Sequence, residues 1–125
     1  KLADILVDTF NSNAGVTAGD ALWVGLPLVT KLGKGYSARA GGYMLASIEM
    51  PELITKTEQE YEALLLELAT NSEYLSAIKE KLAANRLSTP LFNTKVFTKH
   101  IEHGYQLAYQ QYFDGKSPKT IIVPN

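Results

Sequence analysis

Two short apolar runs, Ile5-Leu6-Val7 and Leu26-Pro27-Leu28-Val29-Thr30, stand about twenty residues apart with turn formers and one helical stretch between them. That spacing most constrains the fold. Continuous apolar runs without alternation suit strands covered on both faces, and a strand, helix, strand succession of this length leads to parallel pairing. The first run ends at Asp8-Thr9, and Asn11-Ser12-Asn13-Ala14-Gly15 then reads as a loop. A helix is predicted from Thr17, with Thr17 as its N-cap and Asp20 three residues on in a capping-box-like pair, carrying Ala21 to Val24 and stopping at Gly25. Pro27 sits at the entrance of the second strand, where a missing N–H costs least.

Gly33-Lys34-Gly35 predicts a turn, Ser37 to Ser47 a small-residue helix able to approach a sheet, and Pro51-Glu52-Leu53-Ile54 a third strand. Beyond it the pattern is helical. Thr57 and Ser72 read as N-caps of two successive helices with Glu in their first turns. Their core faces are Tyr61, Leu64, Leu65 and Leu68 in the first, and Leu75, Ile78 and Leu82 in the second. Thr94 opens a last helix to about Phe113, with Phe97, Ile101, Tyr105, Ala108 and Tyr112 in one stripe. Residues 1–125 thus read as one domain, with an α/β part over 1–55, a helical part over 56–114 and a tail over 115–125.

With 125 residues, 46% hydrophobic and 20% charged, the chain has the composition of a compact domain. A formal net charge of -1 gives no general attraction to nucleic acid or to anionic lipid. The absence of cysteine excludes disulfides, thiolate nucleophiles and Cys-ligated metals. No apolar run approaches the roughly 20 residues of a membrane span, and no export-signal pattern opens the chain, so a cytoplasmic setting is expected. Opening on Lys1 and entering an apolar run at Ile5, the sequence reads as a piece of a longer protein.

Chemistry concentrates at the exit from the first strand. In Asn13-Ala14-Gly15-Val16-Thr17-Ala18-Gly19-Asp20, Gly15 and the small Ala18 would let a phosphate approach the N–H groups of a helix start, while Thr17 adds a hydroxyl. Asp20, one turn in, could accept both hydroxyls of a ribose. The alternative is a plain capped helix with no ligand. Gly33-Lys34-Gly35-Tyr36-Ser37-Ala38 matches a degenerate dinucleotide fingerprint, with a hinge-like turn as the better reading. Gly115-Lys116-Ser117 lacks the earlier glycine of a P-loop. His100 and His103 have no convincing third metal ligand, Arg39 could reach an anionic ligand but is expected to pair with a carboxylate, and Tyr105, Tyr109, Tyr112 and Phe113 are expected to pack.

These residues carry a resemblance. Asp8-Thr9 and the run from Asn13 to Thr30, with Ser37-Ala38-Arg39, Pro51-Glu52-Leu53-Ile54, Glu60-Tyr61, Arg86 and Ser88 to Thr94, resemble the O-linked N-acetylglucosamine transferase and SPINDLY family of glycosyltransferases. The similarity runs in order up to the last helix. It implies an α/β fold, the C-terminal, Rossmann-like part of a GT-B nucleotide-sugar domain, with short parallel strands followed by several helices. It also implies that Thr17 and Ala18 hold the donor's diphosphate and Asp20 its ribose, the nucleotide-sugar site comprising Gly15, Val16, Thr17, Ala18 and Asp20. The usual animal pattern has His-Thr-Thr where this chain reads Gly15-Val16-Thr17, so an imidazole and one hydroxyl are absent; glycine at the first position is similar to SPINDLY-like and many bacterial members.

The implied donor is UDP-N-acetylglucosamine or GDP-fucose, with no metal and no other cofactor, and the implied partner is a protein acceptor selected by tetratricopeptide repeats upstream. The family's catalytic residues would lie outside this chain, which would be inactive alone. The rival reading is a non-catalytic helical interaction module. Surface left bare by a missing domain partner would in either case favour self-association.

Overall fold

A computed structural model describes residues 2–124. The chain forms two compact units, Lys1–Leu91 and Phe92–Asn125. The first unit holds strands β1 (Leu6–Val7), β2 (Leu28–Lys31) and β3 (Ile54–Thr55), with helices α1 (Val16–Trp23), α2 (Ala40–Ser47), α3 (Glu58–Thr70) and α4 (Ser72–Ser88). The strands form a parallel sheet in the order β1-β2-β3, in register Leu6 to Leu28, Val7 to Val29, Thr30 to Ile54 and Lys31 to Thr55. The expected α/β class and parallel strands are therefore present.

The sheet explains its own apolar runs. Successive strand residues point to opposite faces, and Leu28, Val29 and Thr30 are all 0% exposed, so β2 is covered on both sides. Leu22 of α1, Leu45 of α2, Leu68 of α3 and Leu82 of α4 are buried with them. Each such side chain withdraws apolar surface worth roughly 1.5–3 kcal/mol from water. The helix α1 stops as expected at Gly25, whose φ of 82° is the left-handed backbone that glycine adopts without a Cβ penalty. Arg86 of α4 reaches back to the same corner, donating from Nη1 to the Trp23 carbonyl with its guanidinium 5.5 Å from the Trp23 ring centroid.

The capping expectations divide. Thr57 caps α3 in a full capping box, with Glu60 N–H donating to Thr57 Oγ1 at 3.1 Å and Glu60 Oε2 accepting from the Thr57 N–H at 3.3 Å. For α4 the cap is Asn71 instead of Ser72, because its amide oxygen, one position earlier, accepts from Tyr74 N–H at 3.0 Å. Thr17 does not cap α1. That helix starts one residue before it with Gly15 as N-cap and no side-chain cap bond, so Asp20 closes no capping box. Ser37 lies in a 3-10 turn, Tyr36–Ala38, and α2 begins only at Ala40. Pro51–Leu53 is also a 3-10 turn, into which proline's fixed φ fits, and β3 follows it.

In the second unit α5 (Thr94–Phe113) opens with Asn93 as N-cap, its Oδ1 accepting from Val96 N–H at 3.1 Å. It buries no residue. The expected stripe stays open, with Phe97, Ile101, Tyr105 and Tyr112 all exposed. The following segment folds back along the same helix: Gln111 Nε2 donates to the Ser117 carbonyl, and Val123 comes so close to Gly104 that a Cβ there would lie 3.3 Å from Val123 Cγ2. Among the described residues no helix is long and apolar enough to cross a membrane.

Candidate functional site

The carboxyl edge of a parallel sheet is where its connections to the next helices meet, and ligands of open α/β sheets bind there. Here the connection from β1 to α1 is organised by Asp8, only 5% exposed, the first residue after the strand. Its Oδ1 accepts from the N–H groups of Thr9 at 2.9 Å and Ala14 at 2.8 Å, and its Oδ2 accepts from the Thr30 hydroxyl at 2.6 Å. Its own carbonyl accepts from the Tyr61 hydroxyl at 2.7 Å. One buried side chain thus ties the loop to the neighbouring strand, and α3 closes over it through Tyr61. Burial, reinforced by the nearby Asp8 charge, pushes the Tyr61 phenol above its ordinary value of 10.0, against the lowering effect of its bond to the Asp8 backbone.

Asn13 supplies the second anchor. Its Nδ2 donates to the Thr9 carbonyl at 2.7 Å, its Oδ1 accepts from Gly41 N–H at 3.2 Å, and its N–H donates to the Ser37 carbonyl at 2.8 Å. The start of α2 is pressed against this loop so closely that a Cβ on Gly41 would lie 2.5 Å from Asp8 Oδ2 and 2.9 Å from Thr30 Oγ1. Nothing larger than glycine fits there.

The five residues read as a nucleotide-sugar site lie on the N-cap and first turns of α1. Gly15 is exposed, with nothing within 4 Å of where a Cβ would be, so an approach to its backbone is open. Val16 is exposed. Ala18 is buried, and its N–H, like that of Gly19, donates back to the Gly15 carbonyl at 3.1 Å. That leaves the N–H groups of Gly15, Val16 and Thr17 without an acceptor among the described residues. Thr17 and Asp20, three apart and both exposed, share one helix face, and neither side chain makes a hydrogen bond within the described chain. The arrangement presents three N–H donors, a hydroxyl and a carboxylate on one short, externally fixed surface.

Sequence reasoning did not single out Asp8, Asn13 or Tyr61 as builders of this surface, whereas Gly41 is among the small residues expected to let its helix approach the sheet. For the first three the local signal was Asp8 itself, a carboxylate directly behind an apolar run. Other candidates fall away. Gly33-Lys34-Gly35 leads into a 3-10 turn and then a break at Arg39, so no helix opens on it as the dinucleotide fingerprint requires. Arg39 pairs with no carboxylate among the described residues. It lies over the Tyr43 ring at 5.5 Å, and its Nε is buried without an acceptor. Among the described residues no three His, Cys, Asp or Glu gather as a metal site.

Known proteins resemble this chain in sequence and fold. The profile of glycosyl transferase family 41 matches residues 1–101. A probable UDP-N-acetylglucosamine–peptide N-acetylglucosaminyltransferase SEC from Arabidopsis thaliana is 34% identical over 123 residues, 98% of this chain and 13% of the relative. A probable transferase of the same description, SPINDLY, from Hordeum vulgare is 32% identical over 118 residues, 94% of this chain and 12% of the relative. Among solved structures, a mutant of Thermobaculum terrenum O-GlcNAc transferase superposes with a TM-score of 0.76 at 29% identity, over 82% of this chain and 20% of that one. The chain therefore spans only about an eighth of the length of these two curated relatives.

Proposed function

The chain belongs to glycosyl transferase family 41, and from that membership we propose that it is the donor-binding portion of a longer protein O-glycosyltransferase. That enzyme moves N-acetylglucosamine or a related sugar from a nucleoside diphosphate to Ser or Thr hydroxyls of a protein acceptor, in a cytoplasmic setting. The observation that carries the reading is the loop fixed by Asp8 and Asn13, which leaves the N–H groups of Gly15, Val16 and Thr17 unspent at the start of α1. Names of relatives that specify UDP-N-acetylglucosamine and a peptide support the same donor and acceptor class.

In this reading the donor's diphosphate lies on the start of α1, with the Thr17 hydroxyl beside it and the Asp20 carboxylate accepting the ribose hydroxyls. Negative charge grows on the diphosphate as the bond to the sugar breaks. Donors already held in place, and aligned with the positive end of a helix, stabilise that charge without having to reorganise. Apolar Val16 contributes only its N–H. Ribose and diphosphate are common to UDP-N-acetylglucosamine and GDP-fucose, so the base and the sugar are distinguished by residues elsewhere in the parent protein. The general base and the rest of the cleft belong there too, and half a cleft neither excludes water nor orients an acceptor hydroxyl.

The test is a double substitution in the full-length parent, Asp20→Ala with Thr17→Val. Loss of hydrogen bonds to a charged group and to a phosphate raises the KM for the nucleotide sugar by roughly tenfold or more. Unchanged donor kinetics sink the proposal. The rival reading, a helical interaction module, draws on the exposed aromatic side chains of α5. It accounts for the second unit alone and gives no role to the loop that Asp8 holds.

A further inference from the structure

Between Asp20 and Glu49 the sequence contains no acidic residue, yet it carries Lys31, Lys34 and Arg39, in a chain whose formal net charge is -1. The fold brings this basic stretch to the carboxyl edge of the sheet: Lys31 ends β2, and Lys34 and Arg39 lie on the connection from β2 to α2. Lys31 is answered, by Glu58 at 3.0 Å and by the Phe10 ring, whose centroid lies 4.0 Å from its ammonium. Lys34 and Arg39 take part in no ion pair among the described residues.

The loop that carries Lys34 is closed on itself and sewn to the donor loop. Gly33 N–H donates to the Ala38 carbonyl at 2.8 Å, Ala38 N–H to the Gly35 carbonyl at 3.2 Å, and Asn13 N–H to the Ser37 carbonyl at 2.8 Å. Gly33 packs against Ala38 with no room for a Cβ. Four consecutive N–H groups, those of Lys34, Gly35, Tyr36 and Ser37, find no acceptor among the described residues. All four residues, with Phe10, Asn11 and Lys31, line one crevice of about 440 Å³. An uncompensated ammonium, backbone donors held in place and a positive local potential are the components of an anion site. The start of α1 uses none of them.

We propose that this crevice binds an oxyanion, a phosphate or carboxylate group, through the Lys34 ammonium and the N–H groups of Gly35, Tyr36 and Ser37, with Arg39 adding to the positive potential. The inference rests on the glycosyl-transfer reading for its assay, and two sources offer that chemistry: the far end of the donor diphosphate, or an acidic side chain flanking the hydroxyl of the acceptor. Kinetics of the full-length parent separate them, using Lys34→Ala, Lys34→Glu and Lys34→Arg with varied nucleotide sugar and with two acceptor peptides, one bearing Glu beside the acceptor serine and one bearing Gln. A donor source raises the donor KM about fivefold in Lys34→Ala with either peptide, and an acceptor source raises only the KM of the Glu peptide. In both cases Lys34→Glu is worse and Lys34→Arg recovers.

If neither KM moves, or if activity falls equally with every substrate and Lys34→Arg does not restore it, the inference is overturned. Asp20→Ala keeps the two ideas apart. Should it leave the donor KM unchanged while the Lys34 variants behave as described, the donor cradle falls and the oxyanion crevice stands; a raised donor KM in Asp20→Ala with unaffected Lys34 variants keeps the cradle and removes the crevice.

Discussion

The connection from β1 to α1 is held by polar side chains, whereas the one from β2 to α2 is held by its own backbone and by the side-chain atoms that Gly33 and Gly41 lack. In the first, the Asp8 carboxylate accepts from the N–H groups of Thr9 and Ala14, while the Asn13 amide donates to the Thr9 carbonyl and accepts from Gly41 N–H of α2. In the second, Gly33 and Ala38 close the turn directly, and the start of α2 slides in beside Asp8 because Gly41 has no Cβ. Both leave unpaired N–H groups at the same edge of the sheet. A buried carboxylate fixes a loop by satisfying donors at a distance, and a glycine fixes one by permitting contact. The two devices therefore fail differently, and three substitutions probe that difference.

Asp8→Ala has the largest expected effect. It strands the buried Thr30 hydroxyl and takes the acceptor from the part-buried N–H groups of Thr9 and Ala14; a buried unsatisfied donor costs about 1–3 kcal/mol and the part-buried ones less, because water reaches them, so denaturant unfolding registers a loss of about 2–3 kcal/mol. A loss below about 1 kcal/mol would mean that the loop is not held by this side chain. Gly41→Ala comes next. Helix propensity favours alanine by about 1 kcal/mol, but the added methyl overlaps Asp8 Oδ2 and Thr30 Oγ1, and overpacking costs about 1–3 kcal/mol. Net destabilisation is expected, and it shrinks in the Asp8→Ala background because the clashing oxygen is gone. A stabilised Gly41→Ala protein would show that α2 does not press on Asp8.

Tyr61→Phe has the smallest effect, about 1 kcal/mol near neutral pH from the lost bond to the Asp8 carbonyl. Its clearer signature lies in alkali. The folded state holds the phenolic proton more tightly than the unfolded chain, whose value is 10.0. That contribution is complete below pH 10.0 and is lost as pH rises through the folded value. Stability of the natural protein should therefore fall above pH 10.0 more steeply than that of Tyr61→Phe, and parallel alkaline curves would remove Tyr61 from the network.

Legibility followed the range of the interaction. Thr57 with Glu60 was readable because a capping box is complete within four residues. Asn71 displaced Ser72 as the α4 cap, and Gly15 displaced Thr17 at α1, since adjacent polar or small residues compete for one cap and loop geometry chooses between them. The stripe on α5 was readable as a stripe, but periodicity states only that a face is apolar and not what covers it, and the described chain leaves it exposed. Arg39 was expected to pair with a carboxylate; that none meets it among the described residues is a fact of three-dimensional neighbours.

What the sequence determined alone was the succession of strand and helix and the chemical types gathered at the first strand's exit, because periodicity, caps and turns act over a few residues. Tertiary structure alone decided what holds that exit in place. The bonds from Asp8 to Thr30, from Gly41 to Asn13 and from Tyr61 to Asp8 join residues 22, 28 and 53 positions apart. Partners at such separations meet only once the sheet and its helices have packed, and no local pattern names them in advance.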